Sequence, residues 1–464
     1  MNLPAILQPA VKARQLMVSV SGIRAILPQG LEPLALTELI TAFADTTGST
    51  IVIGRDSRPS GQPISNFIQA ILELRGKHII NVGVAPTPTV KAIVANSKAN
   101  AGIIVTASHN PEEWNGLKFL GKGGFFYNAD ELNQLLGEVE THSHRPNPKI
   151  KPGKSMKLGN TETSDGIGSH IEAIVQSLPN TAAIRRRKFK VVVDAVGGAG
   201  REALPRLLKE LGCKVIPLYC DVTESFPRPP EPTPAALREF SKIIQKEQVA
   251  VGFALDPDAD RLVTGSPTRG ALNEEYTLPL AFLGKKSSLK RAGTLVVNLS
   301  TSTLLDSVAG SHRVIRSAVG EANVVAQMIA RKALFGGEGN GGVIDPSIPS
   351  FGRDSLIGAA LILSALESHR SASIDDLTKI IPELFMSKAK LPLDTDVDSV
   401  LQRFEQIGNA TGKLAKTDRT DGLHLTFHDH SWVHLRPSNT EPILRLIAQA
   451  GDKNSLQQLL TEFK

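Results

Sequence analysis

Short runs of valine, isoleucine and leucine alternate along this chain with longer stretches of helical periodicity. Three segments repeat one order: strand, polar loop, helix, strand, helix, strand. The first strands are expected in TIVIGRDSR (50–58), FKVVVDAVGGAG (189–200) and GTLVVNLSTS (293–302). The second lie in HIINVGVAPTPT, CKVIPLYCDV and RVIRSAVGEANV, and the third run into the loops TASHNP, DPDADR and GEGNGG. Strands alternating with helical patterns predict α/β units with mixed, mainly parallel sheets. Ligands gather at the carboxyl ends of such strands, where all three loops fall. Three related α/β domains are therefore expected to point their loops into one cleft. The last segment has strand-like LHLTFHD and SWVHLRPS and helix-like NSLQQLLTEF, and predicts a small C-terminal α+β domain. A Pro-, Gly- and Lys-rich stretch at 141–160 predicts a linker, and further boundaries are placed at 266–277 and 381–394. The expected domains are 1–155, 156–270, 271–384 and 385–464.

Composition narrows the class. The 464 residues exceed what one core holds, and 41% hydrophobic with 21% charged residues is ordinary for a soluble globular protein. The longest apolar stretch, IGAALILSAL (357–366), is about half a membrane span. The N-terminus lacks a long apolar core and a small-residue cleavage site, so neither a signal peptide nor a membrane anchor is expected. Two cysteines, Cys213 and Cys220, suit a reducing cytoplasm, and a cytoplasmic location is expected. The net charge of +6 fits either nucleic acid or anionic small molecules. Aromatics make up only 5%, too few for stacking platforms, which favours the small molecules and argues against nucleic acid.

The loops carry the candidate chemistry. In TASHNP the hydroxyl of Ser108 is a weak nucleophile that needs a base, a metal or prior phosphorylation. A Ser-His-Asp hydrolase and a plain turn both remain open, although no G-x-S-x-G elbow surrounds the serine. The next strand, WNGLKFL, adds Lys118, and a loop with a hydroxyl, the His109 imidazole and an ammonium suits a phosphoryl group. DPDADR supplies Asp256, Asp258 and Asp260, then Arg261. In a tight loop the three carboxylates can converge as hard oxygen ligands for Mg²⁺. An EF-hand is excluded because Arg261 stands where its glycine is required. GEGNGG offers Glu338 and Asn340 on a flexible, glycine-freed backbone that can bracket vicinal sugar hydroxyls; no Walker P-loop surrounds it. RPSNTEPILR presents Arg436, Ser438, Asn439, Thr440 and Arg445, which together suit a phosphate clamp.

Taken with SGIR (21–24), GRDSRPSG, VAPTPT, PEPTP, VGEANV and GRD (352–354), these loops resemble the α-D-phosphohexomutase family almost end to end. The family includes phosphoglucosamine mutases, phosphomannomutases and phosphoglucomutases. The resemblance implies four domains around one cleft, a phosphorylated Ser108, and Mg²⁺ held by Asp256, Asp258, Asp260 and a phosphate oxygen on Ser108. It implies transfer of a phosphoryl group between the 6- and 1-positions of a hexose phosphate through a hexose bisphosphate, which also serves as activator. Arg24 and Arg261 belong to the catalytic centre, Lys118 is the candidate acid/base group, and Glu338 orients sugar hydroxyls. Arg436 to Thr440, with Arg445, hold the phosphate not being transferred. Asn340 and Gly342 stand where many bacterial members have Ser and His, Ala25 follows Arg24 where glycine is usual, and Asn439 replaces a common glycine. These departures resemble a branch that holds phosphoglucosamine mutases and mixed phosphomannomutase or phosphoglucomutase activities alike, and glucosamine phosphate is the expected substrate here. Broad mannose and glucose phosphate specificity is the alternative, and a binding protein without turnover a more distant one. A homodimer is compatible with this expectation.

Overall fold

A computed structural model describes residues 3–144, 157–221, 225–392, 396–437 and 443–463. The three expected repeats share one sheet order. In each, the first strand is central, the second pairs parallel on one side, the third pairs parallel on the other, and an antiparallel strand follows. The triplets with their closing strands are Thr50–Arg55, His78–Val84, Ala101–Val105 and Trp114–Leu120; Lys190–Asp194, Lys214–Leu218, Val251–Leu255 and Leu262–Ser266; and Thr294–Asn298, Arg313–Ser317, Phe335–Glu338 and Gly342–Ile344. The third strands of the first two sheets are buried along their whole length, because helices cover both sheet faces and leave no polar side to encode. Each chemical loop lies between the third strand and its antiparallel partner.

The first sheet has two further strands, Leu16–Ser19 and Gly22–Ile26, on the side of Trp114–Leu120. At its far edge Asn160–Thr163 pairs parallel with His78–Val84. This narrows the linker expected over 141–160, of which residues 145–156 lie outside the described residues. The helix Ala129–His144 enters that stretch and a strand leaves it. The sequence NTET hides the strand because none of its residues is buried, and edge pairing alone supports it.

One apolar core runs from Val52 and Ile104 of the first sheet through Val191 and Leu255 of the second to Phe335 of the third and Leu366 of a helix packed against it. The apolar stretch 357–366 lies in the helix Ser355–Ser368, buried from Ser355 to Leu366. It packs on Thr277–Lys286 and on helices of the second domain, so every face needs apolar residues. Among the described residues no helix is long and apolar enough to cross a membrane. Cys213 and Cys220 are both free thiols.

The C-terminal domain has its own core and a five-stranded antiparallel sheet, ordered Phe385–Pro392, Ile443–Ala450, Trp432–Pro437, Leu423–Phe427 and Leu414–Asp418. The boundary stretch 381–394 thus contains a strand. Its helices cover the face bearing Leu425, Leu435 and Leu446. Directly paired residues share a face, so Lys388, Arg436 and Arg445 lie together on the other. That face meets the third domain through polar contacts: Ser300 Oγ to His434 Nδ1 at 2.9 Å, Val319 N–H to Asp421 at 2.9 Å, and Lys388 to Glu274 at 2.7 Å.

Candidate active site

Ser108 stands three residues beyond the end of the wholly buried strand Ala101–Val105, with a left-handed φ of 52°. A buried guanidinium beneath the loop holds this shape. Arg58 is fully buried, pairs with Asp56 at 3.0 Å, and donates to the carbonyls of Ser108 (2.6 Å), Asn110 (2.8 Å) and Pro111 (2.7 Å). Asp56 also accepts from Thr106 Oγ1, whose oxygen in turn accepts the Ser108 N–H. With the backbone clamped from below, Ser108 Oγ points to Asp256 Oδ2 at 3.3 Å and lies 3.4 Å from His109 Nδ1. Arg58→Met would leave Asp56 buried without its partner. It is expected to lower unfolding free energy by about 3 kcal/mol or more in denaturant titration; a loss under about 1 kcal/mol refutes the clamp.

The second loop turns sharply at Ala259, φ 53°, and this brings Asp256, Asp258 and Asp260 together as expected. One carboxylate oxygen from each lies within 4.8 Å of the others, and all three residues are buried. Lys118 Nζ donates to Asp258 Oδ2 at 2.6 Å and Thr87 Oγ1 to the same oxygen at 2.8 Å, while Arg353 takes Asp260 Oδ2 at 2.6 Å. Asp258 Oδ1 and Asp260 Oδ1 are buried without hydrogen-bond partners. Burial, then the charges of Asp260 and Asp258, push the Asp256 carboxyl well above its ordinary range. Burial acts the same way on Asp258, but the Lys118 ammonium, the Thr87 hydroxyl and the Arg353 charge together outweigh it and hold that carboxyl well below. Crowded hard oxygens with open lone pairs fit Mg²⁺.

His109 is held neutral first by burial, then by the cations Arg261 and Arg24. Arg24 donates to Asn110 Oδ1 at 2.7 Å, and burial brings its guanidinium down to about 10. Arg261 lies 3.9 Å from Asp260 and 3.7 Å from Glu231.

Glu338 ends a strand rather than sitting on a free loop. Asn298 Nδ2 (2.7 Å) and the Gly320 N–H (3.0 Å) donate to its Oε1, and Arg353 lies 3.2 Å from its Oε2. The glycine-rich segment is not the flexible loop expected. A Cβ at Gly341 would stand 2.4 Å from the Leu262 carbonyl oxygen, and one at Gly339 2.2 Å from Glu275 Oε2, so these glycines serve close packing. Arg436 and Arg445 face each other across paired strands, and Arg436 Nε donates to Asp421 at 2.9 Å. Ser438, Asn439 and Thr440 lie outside the described residues.

All four domains line one cleft of about 260 Å³, with Arg24, His109, Lys118, Arg261, Glu338, Asn340, Arg353, Arg436 and Arg445 on its walls. A wider hollow of about 700 Å³ beside Arg201 and Cys220 shares no residue with it. Among the described residues, buried side-chain polar atoms lacking a partner concentrate in and beside the cleft: Arg24 Nε, Asp258 Oδ1, Asp260 Oδ1, Arg261 Nε, Asn340 Oδ1 and Arg436 Nη2, with Thr264 Oγ1 the one other. Such atoms are rare in folded proteins, and gathered here they mark donors for an anion, acceptors for a cation and an acceptor for a hydroxyl.

Four family models match the chain in order: phosphoglucomutase/phosphomannomutase alpha/beta/alpha domain I over 16–145, domain II over 168–268, domain III over 276–385, and the C-terminal domain over 389–464. The chain belongs to the phosphoglucomutase/phosphomannomutase family. Members of this phosphohexomutase family are isomerases that act as intramolecular phosphotransferases, and the chain is an enzyme of that class. A Thermococcus kodakarensis relative named phosphoglucomutase/phosphomannomutase is 32% identical, with 88% of each chain covered. A Pyrococcus abyssi relative named probable phosphoglucosamine mutase is 29% identical, with 95% of each covered. The fold matches a Burkholderia thailandensis phosphoglucomutase/phosphomannomutase family protein at a TM-score of 0.80 and 23% identity, covering 96% of this chain and 95% of that one. It also matches Aspergillus fumigatus N-acetylphosphoglucosamine mutase in complex with GlcNAc-6P and magnesium, at a TM-score of 0.55 and 13% identity, covering 100% and 98%.

Arg58, Thr87 and Arg353 were given no role from sequence. Each lies in a quoted motif, but their partners are distant in the chain.

Proposed function

We propose that this phosphohexomutase moves a phosphoryl group between the 6- and 1-positions of glucosamine phosphate, through phosphorylated Ser108 and a sugar bisphosphate. The observation that carries the proposal is Ser108 Oγ standing 3.3 Å from Asp256, at the edge of the buried carboxylate triad and next to His109 on the wall of a cleft with unpartnered cationic donors. Asp256, Asp258 and Asp260, with an oxygen of the serine phosphate, hold Mg²⁺, which when bound offsets charge on the transferring group. The P–Oγ bond breaks as the bond to the sugar hydroxyl forms. The Lys118 ammonium gives a proton to Oγ as that oxygen leaves and, now the amine, takes the proton of the attacking hydroxyl. The bisphosphate turns round in the cleft, and transfer of its other phosphoryl group restores phosphoserine 108. Arg24 and Arg261 neutralise the phosphoryl group, and His109, kept neutral, lies against Oγ without adding charge. Glu338 and Asn340 accept from sugar hydroxyls. Arg436, Ser438, Asn439, Thr440 and Arg445 hold the other phosphate.

The choice of sugar rests on relatives named probable phosphoglucosamine mutase that match almost the whole chain. The more identical T. kodakarensis relative, named for glucose and mannose phosphates, supports the broad-specificity alternative. With Mg²⁺ and catalytic hexose bisphosphate, kcat/KM for glucosamine 6-phosphate is expected to exceed those for mannose and glucose 6-phosphates by about tenfold or more. Comparable values would make this a general hexose phosphate mutase. Absence of turnover on all three would overturn the enzymatic reading of the site.

A further inference from the structure

We propose that Arg353 is a positioning residue that locks the metal loop and the sugar loop in one register, so that both sites are set by a single guanidinium. The inference rests on the function proposed above and assigns a role to a residue outside that scheme.

Arg353 holds three carboxylates at once. Nη2 donates to Asp260 Oδ2 at 2.6 Å, Nη1 lies 3.2 Å from Glu338 Oε2, and Nε donates to Glu321 Oε2 at 3.2 Å. Asp260 belongs to the second domain's loop, Glu338 to the third domain's strand. Glu321 Oε1 is bonded to Lys91, a buried lysine on the first domain's helix Thr87–Asn96. The guanidinium thus ties the metal ligand and the sugar ligand to each other and, through Glu321, to the first domain. It takes one oxygen of Asp260 and leaves Oδ1 unpartnered, so it also sets which oxygen is open to a cation. Glu338 is fixed from its other side by Asn298 and Gly320 and has no slack to move alone.

The surrounding backbone is shaped around this side chain and its partners. A Cβ at Gly342 would come within 2.3 Å of Arg353 Cδ, and one at Gly352 within 1.8 Å of Lys91 Nζ and 2.3 Å of Glu321 Oε1. Lysine in place of arginine keeps the charge but offers a point donor instead of a planar fork, and cannot span three carboxylates.

The test uses Arg353→Lys in a Ser108→Ala background, where turnover does not consume ligand. Calorimetry measures Kd for Mg²⁺ alone and, separately, for glucosamine 6-phosphate. Both are expected to weaken by about tenfold, the usual scale for losing a residue that orients metal ligands. Asn340→Ala in the same background, which leaves the three carboxylates of Arg353 in place, is expected to weaken the sugar phosphate alone and leave the Mg²⁺ Kd within about twofold. If both constants stay within about twofold for Arg353→Lys, Arg353 is only structural and the proposal falls; if only one moves, the shared register falls. Should Arg353→Lys show no folded melting transition, Glu321→Gln decides. It removes the guanidinium's third anchor, and about threefold weakening of both ligands supports the proposal, while unchanged constants overturn it. A parent protein that binds Mg²⁺ but no glucosamine 6-phosphate defeats the proposed function separately, and the Mg²⁺ arm still judges whether Arg353 positions Asp260.

Discussion

Ser108→Ala is expected to lower kcat by about 10⁴-fold or more while leaving the Kd for glucosamine 6-phosphate within about threefold. The two halves follow from different parts of the loop. The backbone is held through the carbonyls of Ser108, Asn110 and Pro111 by Arg58, and none of these bonds uses the serine side chain. Alanine therefore keeps the loop and loses only Oγ. That oxygen stands 3.3 Å from Asp256 of the carboxylate triad, so its loss removes the covalent step and not the binding surface. Incorporation of labelled phosphate from glucose 1,6-bisphosphate should mark the parent protein and not the variant. Residual turnover above about 1% would mean that another group carries the phosphoryl. The same experiment separates this mechanism from the Ser-His-Asp hydrolase that TASHNP alone left open. A hydrolase needs an imidazole able to take a proton, oriented by a carboxylate. His109 is instead desolvated and set near Arg261 and Arg24, which resist protonation.

What the sequence made legible was local or periodic. Valine-rich strands buried on both faces announce themselves, and three of them in one order were enough to expect three domains with loops at equivalent ends. The aspartates of DPDADR converge because the loop turns sharply at Ala259, φ 53°, which brings their oxygens within 4.8 Å. The positions that determine how these loops meet were not legible, because their partners are remote. Thr87 reaches Asp258 across 171 residues, Lys91 reaches Glu321 across 230, and Arg353 reaches Asp260 across 93. A buried arginine reads in sequence like an exposed one. Arg58 did leave a signal: a carboxylate and a guanidinium two residues apart, directly after a buried strand, where solvated charges are not expected. The strand Asn160–Thr163 left none, since pairing at a sheet edge asks nothing of its side chains. The glycines of GEGNGG were read as flexibility, yet while Gly341 does take a left-handed φ of 85°, Gly341 and Gly339 also answer to crowding by Leu262 and Glu275.

Removing the metal site should have the second largest effect, and its sign differs between activity and stability. Asp258→Asn is expected to lower kcat/KM by about 10³-fold at saturating Mg²⁺ for the parent. The amide must turn its NH₂ either toward Lys118 and Thr87, which need an acceptor, or into the ligand set, which needs an oxygen. EDTA should abolish parent activity and added Mg²⁺ restore it. Stability should behave otherwise at Asp256. In the metal-free protein its buried carboxyl is pushed well above the ordinary range, so the fold retains a proton that the unfolded chain gives up. Stability from this group therefore falls as pH rises from the ordinary carboxylate range through its raised pKa. Asp256→Asn removes that opposition and is expected to raise the metal-free Tm near neutral pH and flatten its pH dependence, while abolishing turnover. Mg²⁺ at a hundred times its Kd should stabilise the parent by about 2.7 kcal/mol and leave Asp256→Asn nearly unmoved. Melting curves at pH 5 and pH 8, with and without Mg²⁺, decide the matter. A metal-free Asp256→Asn less stable than the parent at pH 8, or stabilised equally by Mg²⁺, would show that the three carboxylates do not crowd one cation site.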